Sequence, residues 1–251
     1  MNSNDPAAVN VHAGKDLDAA SVAITGGTTG QGGITPAPGV GAAPSPNPLA
    51  YIDAAAQAIL IAELAGGCDH IGQVIVVGVV TLDPGVYCGG IKIEGGGNTG
   101  ILNPGNYIIA GGGLTVSNPG MIQGTGITIL NTNGPGNDAS LYQPYYFGNG
   151  CKANISAPLT GPLAGILIYQ DPNAGLPLVT YTNTFACAND YPLNGTIYLP
   201  TQTAVFGGSN SDTQINGSVV AFRIETKEGT TLTMNQPLTS SSALKRSSLV
   251  E

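Results

Sequence analysis

Short runs of alternating apolar and polar residues, each closed by Gly or Pro, recur along this chain. In Ile91-Lys-Ile93 and Leu114-Thr-Val116 the apolar side chains fall on one face of a strand and the polar one on the other. These runs belong to an internal repeat. Leu82-Asp-Pro-Gly-Val-Tyr87 returns as Leu102-Asn-Pro-Gly-Asn-Tyr107, 20 residues later (102 minus 82), and Asn118-Pro-Gly120 is a third, shorter copy. A glycine pair and a strand follow each full copy: Gly89-Gly-Ile-Lys-Ile-Glu94, then Gly112-Gly-Leu-Thr-Val-Ser117. Pro presets φ at the second position of a turn and the next Gly supplies the positive φ of a type II turn, so each Asx-Pro-Gly reads as a corner. One repeat is then turn, strand, turn, strand.

A half-apolar strand needs a neighbour, and stacking such coils about 4.8 Å apart buries their apolar faces in one column. The expected fold is all-β: a single-stranded, right-handed β-helix or solenoid with a short capping or flanking helix. The second half continues less regularly in Gly165-Ile-Leu-Ile-Tyr-Gln170, Asn194-Gly-Thr-Ile-Tyr-Leu-Pro200 and Asn216-Gly-Ser-Val-Val-Ala-Phe222, with Val205-Phe206 and Thr230 to Met234 as further short strands. A β-sandwich also strings short strands together and is the alternative fold; the repeat period discriminates between the two.

Two segments break the pattern. Thr35 to Pro48 is a Pro/Ala/Gly tract expected to be extended, and Leu49 to Leu64 is Ala-rich with helical apolar spacing, stopped by Gly66-Gly67. The expected organisation is amino-terminal strands or a first coil over 1–34, a Pro-rich linker and helix over 35–65, the solenoid over 66–238 and a flexible tail over 239–251.

Composition narrows the function. Charged residues are only 9% of the chain, against about 25% in ordinary soluble domains, so Asn, Thr, Ser, Gln and backbone must cover the surface. With 42% hydrophobic residues in Ile/Val/Leu clusters the chain can offset the entropy of ordering. The net charge of -8 and seven scattered cations leave no basic stripe, which argues against nucleic acid as a partner. No apolar run reaches the roughly 20 residues of a membrane span, and Met1 to Asp5 lacks the basic and apolar regions of a signal peptide; an exported chain would have its signal removed or upstream.

Four cysteines, Cys68, Cys88, Cys151 and Cys187, have no C-x-x-C pair, and only His12 and His70 could join them, so a zinc site is weakly supported. Their even number in a chain poor in Lys and Glu suits two disulfides in an oxidising compartment. Three connectivities are open, of which Cys68–Cys88 with Cys151–Cys187 is favoured; buried, reduced thiols are the alternative.

Pro-Leu-Ala-Tyr (48–51), Gly-Cys (67–68), Thr-Leu-Asp-Pro-Gly-Val-Tyr-Cys-Gly-Gly-Ile (81–91), Asn-Pro-Gly-Asn-Tyr-Ile-Ile (103–109) and Leu-Asn-Gly-Thr-Ile-Tyr (193–198) stand in an order that resembles the carboxy-terminal, extracytoplasmic region of bacterial TadE/TadG-like (Flp, tight-adherence) pilus-assembly proteins. The resemblance covers roughly residues 20–225. It implies a β-rich region at the cell surface or in the periplasm, working with the pilus system, with no catalytic residues to carry over. The chain departs from the family in lacking the amino-terminal membrane helix and in placing a helical stretch after Tyr51 where a proline-rich run is usual.

The function expected is therefore an extracytoplasmic structural or adhesive module, not an enzyme, whose partners are other cell-surface or pilus proteins or surface glycans. A self-assembling surface filament is an alternative. A polysaccharide-cleaving enzyme is another, since such enzymes use two carboxylates about 6.5–9.5 Å apart on neighbouring coils. Asp83, Glu94, Asp171, Asp190 and Asp212 are the candidates. Against it, Asn131-Thr-Asn133-Gly has Asn133 where a polygalacturonase signature has an acid, and Asp83 and Asp171 suit turns. Gly207-Gly-Ser-Asn-Ser-Asp212 approaches a calcium-binding repeat, which makes Asn210 and Asp212 candidate Ca2+ ligands; no other cofactor is implied. Tyr142, Tyr145, Tyr146 and Phe147 lie in a long loop and form a candidate interface. Asn154-Ile-Ser, Asn194-Gly-Thr and Asn216-Gly-Ser match the glycosylation sequon but read as turn and coil residues, and no Thr-x-Thr array suggests ice binding.

Overall fold

The computed structural model describes residues 6–11, 13–14, 16–18, 22–30, 33–43, 49–148, 150–188, 191–208, 213–227 and 232–235. The amino-terminal segment contributes β1 (Val9–Val11), β2 (Asp16–Asp18), β3 (Ala23–Ile24), β4 (Thr28–Gly30), β5 (Gly33–Thr35) and β6 (Gly39–Val40), and helix α1 spans Ala50–Ala65. From there the chain makes seven circuits. The first holds β7 (His70–Ile71), β8 (Val74–Val76) and β9 (Val79–Leu82); the second β10 (Gly85–Cys88), β11 (Ile91–Ile93) and β12 (Thr99–Leu102); the third β13 (Gly105–Ala110), β14 (Leu114–Val116) and β15 (Met121–Thr125). The fourth holds β16 (Ile127–Thr132), β17 (Tyr146–Phe147) and β18 (Lys152–Ser156), and the fifth β19 (Ile166–Gln170), β20 (Thr182–Phe185) and β21 (Leu193–Asn194). In the last two, β22 (Thr196–Phe206) and β24 (Val219–Thr226) run through the corner that earlier circuits break, followed by β23 (Thr213–Asn216) and β25 (Leu232–Asn235).

This architecture corrects the expectation of an all-β solenoid with a short capping helix. Every ladder between the named strands is parallel, and the ladders gather the strands into a 14-stranded sheet that runs out along β7-β10-β13-β16-β19-β22 and returns along β20-β17-β14-β11-β8. It is a nearly closed, barrel-like parallel wall, completed by a seven-stranded parallel sheet, β25-β23-β21-β18-β15-β12-β9, and by α1 as a layer of its own. The expectation failed at the corners. Thr99–Leu102, which the turn, strand, turn, strand repeat leaves out as a strand, is paired with Val79–Leu82, so each early circuit has three strands and not two. The Pro-Gly corners are not type II turns either: Gly85 and Gly105 open strands at φ 155° and 143°, and the Pro84 ring lies where a Cβ on Gly105 would stand, 2.4 Å from Cγ.

The repeat has a different purpose. Tyr87 Oη donates to the Asp83 carbonyl (2.6 Å) and Tyr107 Oη to the Asn103 carbonyl (2.8 Å), so each Leu-Asx-Pro-Gly-x-Tyr run closes its own corner with a buried phenol. Asn103 Nδ2 then donates to Asp83 Oδ1 (2.7 Å), tying the two corners together. Register is not uniform: Leu82 pairs with Leu102, 20 residues on, but Gly85 pairs with Tyr107, 22 on. An even slip leaves the inward face inward.

The main core fills the wall, with Phe147, Phe185 and Phe206 stacked in register at 5.6 and 5.4 Å between ring centroids. A second core lies outside it. Val86, Ile108, Leu130, Tyr169, Tyr198 and Val220 form one row across six strands, and Leu49, Ile52, Ala56 and Leu60 of the helical segment cover it. Sixteen helical residues span about 24 Å, and five strand spacings span about the same, so α1 reaches across the whole row. Near its start Asp53 accepts from Tyr169 Oη (3.0 Å) and Tyr198 Oη (2.9 Å); beyond its end Cys68 is bonded to Cys88 of β10.

The amino-terminal strands return to the far end of the wall. Val9–Val11 pairs with Ile224–Thr226 and, on its other side, with Thr28–Gly30, around a small core of Ala8, Val9, Val11 and Ile24. Of the expected extended tract, Thr35 and Gly39–Val40 are in strands, 44–48 lies outside the described residues, and so does the tail from 239.

Candidate functional site

The richest polar chemistry gathers where two long loops leave the wall, after β16 and after β19. Asn131 and Gln170 are register partners, which brings Thr132 beside Asp171. Asp171 is buried, yet all its partners are neutral: Thr132 Oγ1 donates to Oδ2 (2.7 Å), and Gln57 Nε2 of α1 (2.8 Å) and the Asn173 amide (2.9 Å) donate to Oδ1. Pro172 follows, and the Ala174 amide returns to the Asp171 carbonyl (2.9 Å), so this carboxylate builds a turn and joins it to the helix.

Asn133 then links both loops, accepting from the Gly175 amide (2.7 Å) and donating to Asn137 Oδ1 (2.7 Å). Beneath them, Gln202 Oε1 accepts from Tyr142 Oη (3.0 Å) and Asn183 Nδ2 (2.8 Å), and Asn183 Oδ1 accepts from the Tyr145 amide (2.9 Å). Burial pushes the phenols of Tyr142 and Tyr145 above the ordinary value. Gln202 is 2% exposed, and its Nε2 has no partner among the described residues; neither does Asn131 Oδ1. Gln202 also lines a cavity of about 530 Å3 under the loop 172–180, walled by Pro172, Asn173, Leu176, Val179 and Thr201, with no charged side chain in its lining.

The loop over this cavity is held at its base and apolar at its tip. The Leu176 amide donates to Tyr181 Oη (3.1 Å), and the Val179 amide to the Leu176 carbonyl (3.2 Å). Leu176 and Val179 are about half exposed, and Leu178 is fully exposed at φ 65°. A leucine in the left-handed region costs about 1 kcal/mol, and such strain persists where the surroundings over-determine it.

The other candidates separate clearly. Tyr142, Tyr145 and Phe147 are core residues, which corrects the expected four-ring interface: only Tyr146 of the four presents its ring to solvent, because β17 pairs between β14 and β20 and turns Phe147 inward. Asp83 is exposed in its corner ladder, and Glu94 pairs with Lys92 (2.9 Å) and Ser117. The structure thus gives Asp83, Glu94 and Asp171 separate partner sets. Asp190, and the calcium candidates Asn210 and Asp212, lie outside the described residues. Among the described residues no three His, Cys, Asp or Glu side chains gather as a metal-binding group.

Sequence reasoning missed Asp53, Asn183, Gln202 and the Leu176–Val179 tip. For the tip a signal existed in Pro172-Asn-Ala-Gly-Leu-Pro-Leu-Val179, an apolar run too punctuated by Pro and Gly to form a strand.

Disulfides join Cys68 to Cys88 and Cys151 to Cys187, the favoured connectivity, and such bonds belong to oxidising, non-cytoplasmic compartments. Among the described residues no helix is long and apolar enough to cross a membrane. No family model, curated protein or solved structure matches the chain.

Proposed function

We propose that this chain is an extracytoplasmic structural and adhesive module that works with tight-adherence pilus proteins and meets a protein partner through the loop tip Leu176–Val179. The observation that carries the reading is Leu178, a bulky apolar side chain held fully in solvent at φ 65° on a loop whose base is hydrogen-bonded in place. Pre-organised apolar anchors of this kind lower the entropy cost of association. In this reading the described carboxylates are structural and the module is not an enzyme. The family resemblance supplies the class of partner, and the disulfides agree with its compartment.

The test is titration calorimetry of the oxidised chain against purified Flp-type pilin and TadE-like proteins of the parent bacterium. Binding that falls at least tenfold in Leu178→Asp, with an unchanged thermal midpoint, is the expected result. Absence of binding to every one of them, or binding indifferent to Leu178→Asp, refutes the proposal.

A further inference from the structure

The return strands of the sheet form one column, β8-β11-β14-β17-β20-β22-β24-β1-β4, nine parallel strands whose two outermost edges have no partner among the described residues. At one end stand β7, β8 and β9, at the other β6, β4 and β5, short strands of similar length in each set. Edges of this kind are normally guarded by Lys, other charges or Pro. Here neither set contains Lys, Arg, Asp, Glu or Pro: His-Ile, Val-Ile-Val and Val-Val-Thr-Leu at one end, Gly-Val, Thr-Thr-Gly and Gly-Ile-Thr at the other. The first end is also apolar towards solvent, with Ile71 89%, Ile75 62%, Val77 73% and Val79 70% exposed.

We infer that the chain stacks end to end with copies of itself, β8 of one copy pairing in parallel with β4 of the next. The fold already contains this mode of joining. β1 and β4 are remote in sequence from β24, yet they extend its column by edge pairing at Val9–Ile224, Asn10–Glu225 and Val11–Thr226, and a second copy continues the same ladder. Charge points to the same occupant: the chain carries a net charge of -8 and repels its own copies, except where both facing edges are uncharged. The two edges differ and all strands share one polarity, so the contact is heterologous and the assembly is an open filament. Nine strands at about 4.8 Å give an axial repeat of roughly 43 Å. This inference does not rest on partner binding at Leu178.

The oxidised full chain is to be followed by sedimentation velocity and negative-stain electron microscopy over a concentration series. Linear polymers with a repeat of roughly 43 Å are expected from nine such spacings. Ile75→Lys blocks one end and Thr29→Lys the other, so each variant alone is monomeric and an equimolar mixture stops at dimers. Val77→Lys and Thr28→Lys repeat the design, and all variants are checked for both disulfides and the parent circular dichroism. A parent chain that stays monomeric throughout overturns the inference, as does a mixture of folded variants that forms no dimers. So does loss of assembly in only one of the two single-end variants, which would indicate a symmetric contact. Binding at Leu178 is measured separately on monomeric Ile75→Lys, so either idea can fail alone.

Discussion

Replacing Asp53 by Ala removes the carboxylate that accepts hydrogen bonds from Tyr169 and Tyr198 and thereby fastens the start of α1 to the wall. Both rings are fully buried in the core beneath the helix and stack on each other at 5.5 Å, so their hydroxyls have little freedom to turn elsewhere. A hydrogen bond to a charged acceptor is worth about 1.5–3 kcal/mol. Asp53 is itself half-buried, so water replaces part of the loss. The expected cost is about 3 kcal/mol for Asp53→Ala and about 1 kcal/mol for Asp53→Asn, whose amide oxygen still accepts one bond. The chain has no Trp, so guanidinium unfolding followed by tyrosine fluorescence and far-ultraviolet circular dichroism is the assay. A double-mutant cycle isolates the strap. Tyr198→Phe should cost about 1 kcal/mol more in the parent than beside Asp53→Ala, where this acceptor is already gone. If Asp53→Ala shifts stability by less than about 0.5 kcal/mol, within the range of an ordinary surface substitution, the carboxylate does not hold the helix.

Other expectations follow from the same contacts. Burial pushes Tyr87 up to about 12, with the Asp83 and Asp69 carboxylates adding to the effect, and raises Tyr107, Tyr142, Tyr145 and Tyr169 as well. Because the folded state holds these protons more tightly than the unfolded one, with its phenols near 10, their contribution is complete below pH 10 and falls away above it, that of Tyr87 as pH rises through about 12. Denaturant midpoints measured across that window should fall, and a flat profile would refute the burial argument. Reduction followed by alkylation should lower stability by about 3 kcal/mol for the Cys68–Cys88 loop and about 4 kcal/mol for Cys151–Cys187, from the loop lengths in a chain-entropy estimate; loss of the first should release protection from hydrogen exchange in α1 before the wall. Gly105→Ala drives a Cβ into the Pro84 ring and should cost about 2 kcal/mol as overpacking, read as a lower thermal midpoint, whereas Gly97→Ala, where nothing lies within 4 Å, meets only its φ of 83° and should cost less.

Much of the local structure was legible in the residues alone. Alternation at Ile91–Ile93 and Leu114–Val116 marks strands that the structure contains, and the Ala-rich run at Leu49–Leu64 differs from the observed helix by one residue at each end. Each of these signals is carried by a few neighbouring residues, because strand alternation and helical periodicity are properties of backbone geometry over one or two turns. The even cysteine count likewise pointed to the bonds that form, each of which joins adjacent circuits.

What the tertiary structure alone decided is where those pieces meet. Nothing near Val9 announces that it pairs with Ile224, nor does the sequence of α1 indicate that Asp53 reaches the hydroxyls of Tyr169 and Tyr198. The long strands β22 and β24 continue through a corner that β19 and β20 break, which joins two walls into one sheet and overturns the simple solenoid expected from the repeat. The aromatic run at 142–147 looked like a loop surface, but pairing of β17 between two neighbours sends Phe147 into a stacked column and leaves Tyr146 outside. The physical reason is common to all of these. Local sequence encodes which face of an element is apolar, while parallel partners are chosen by burial and register across stretches of chain that leave no local trace.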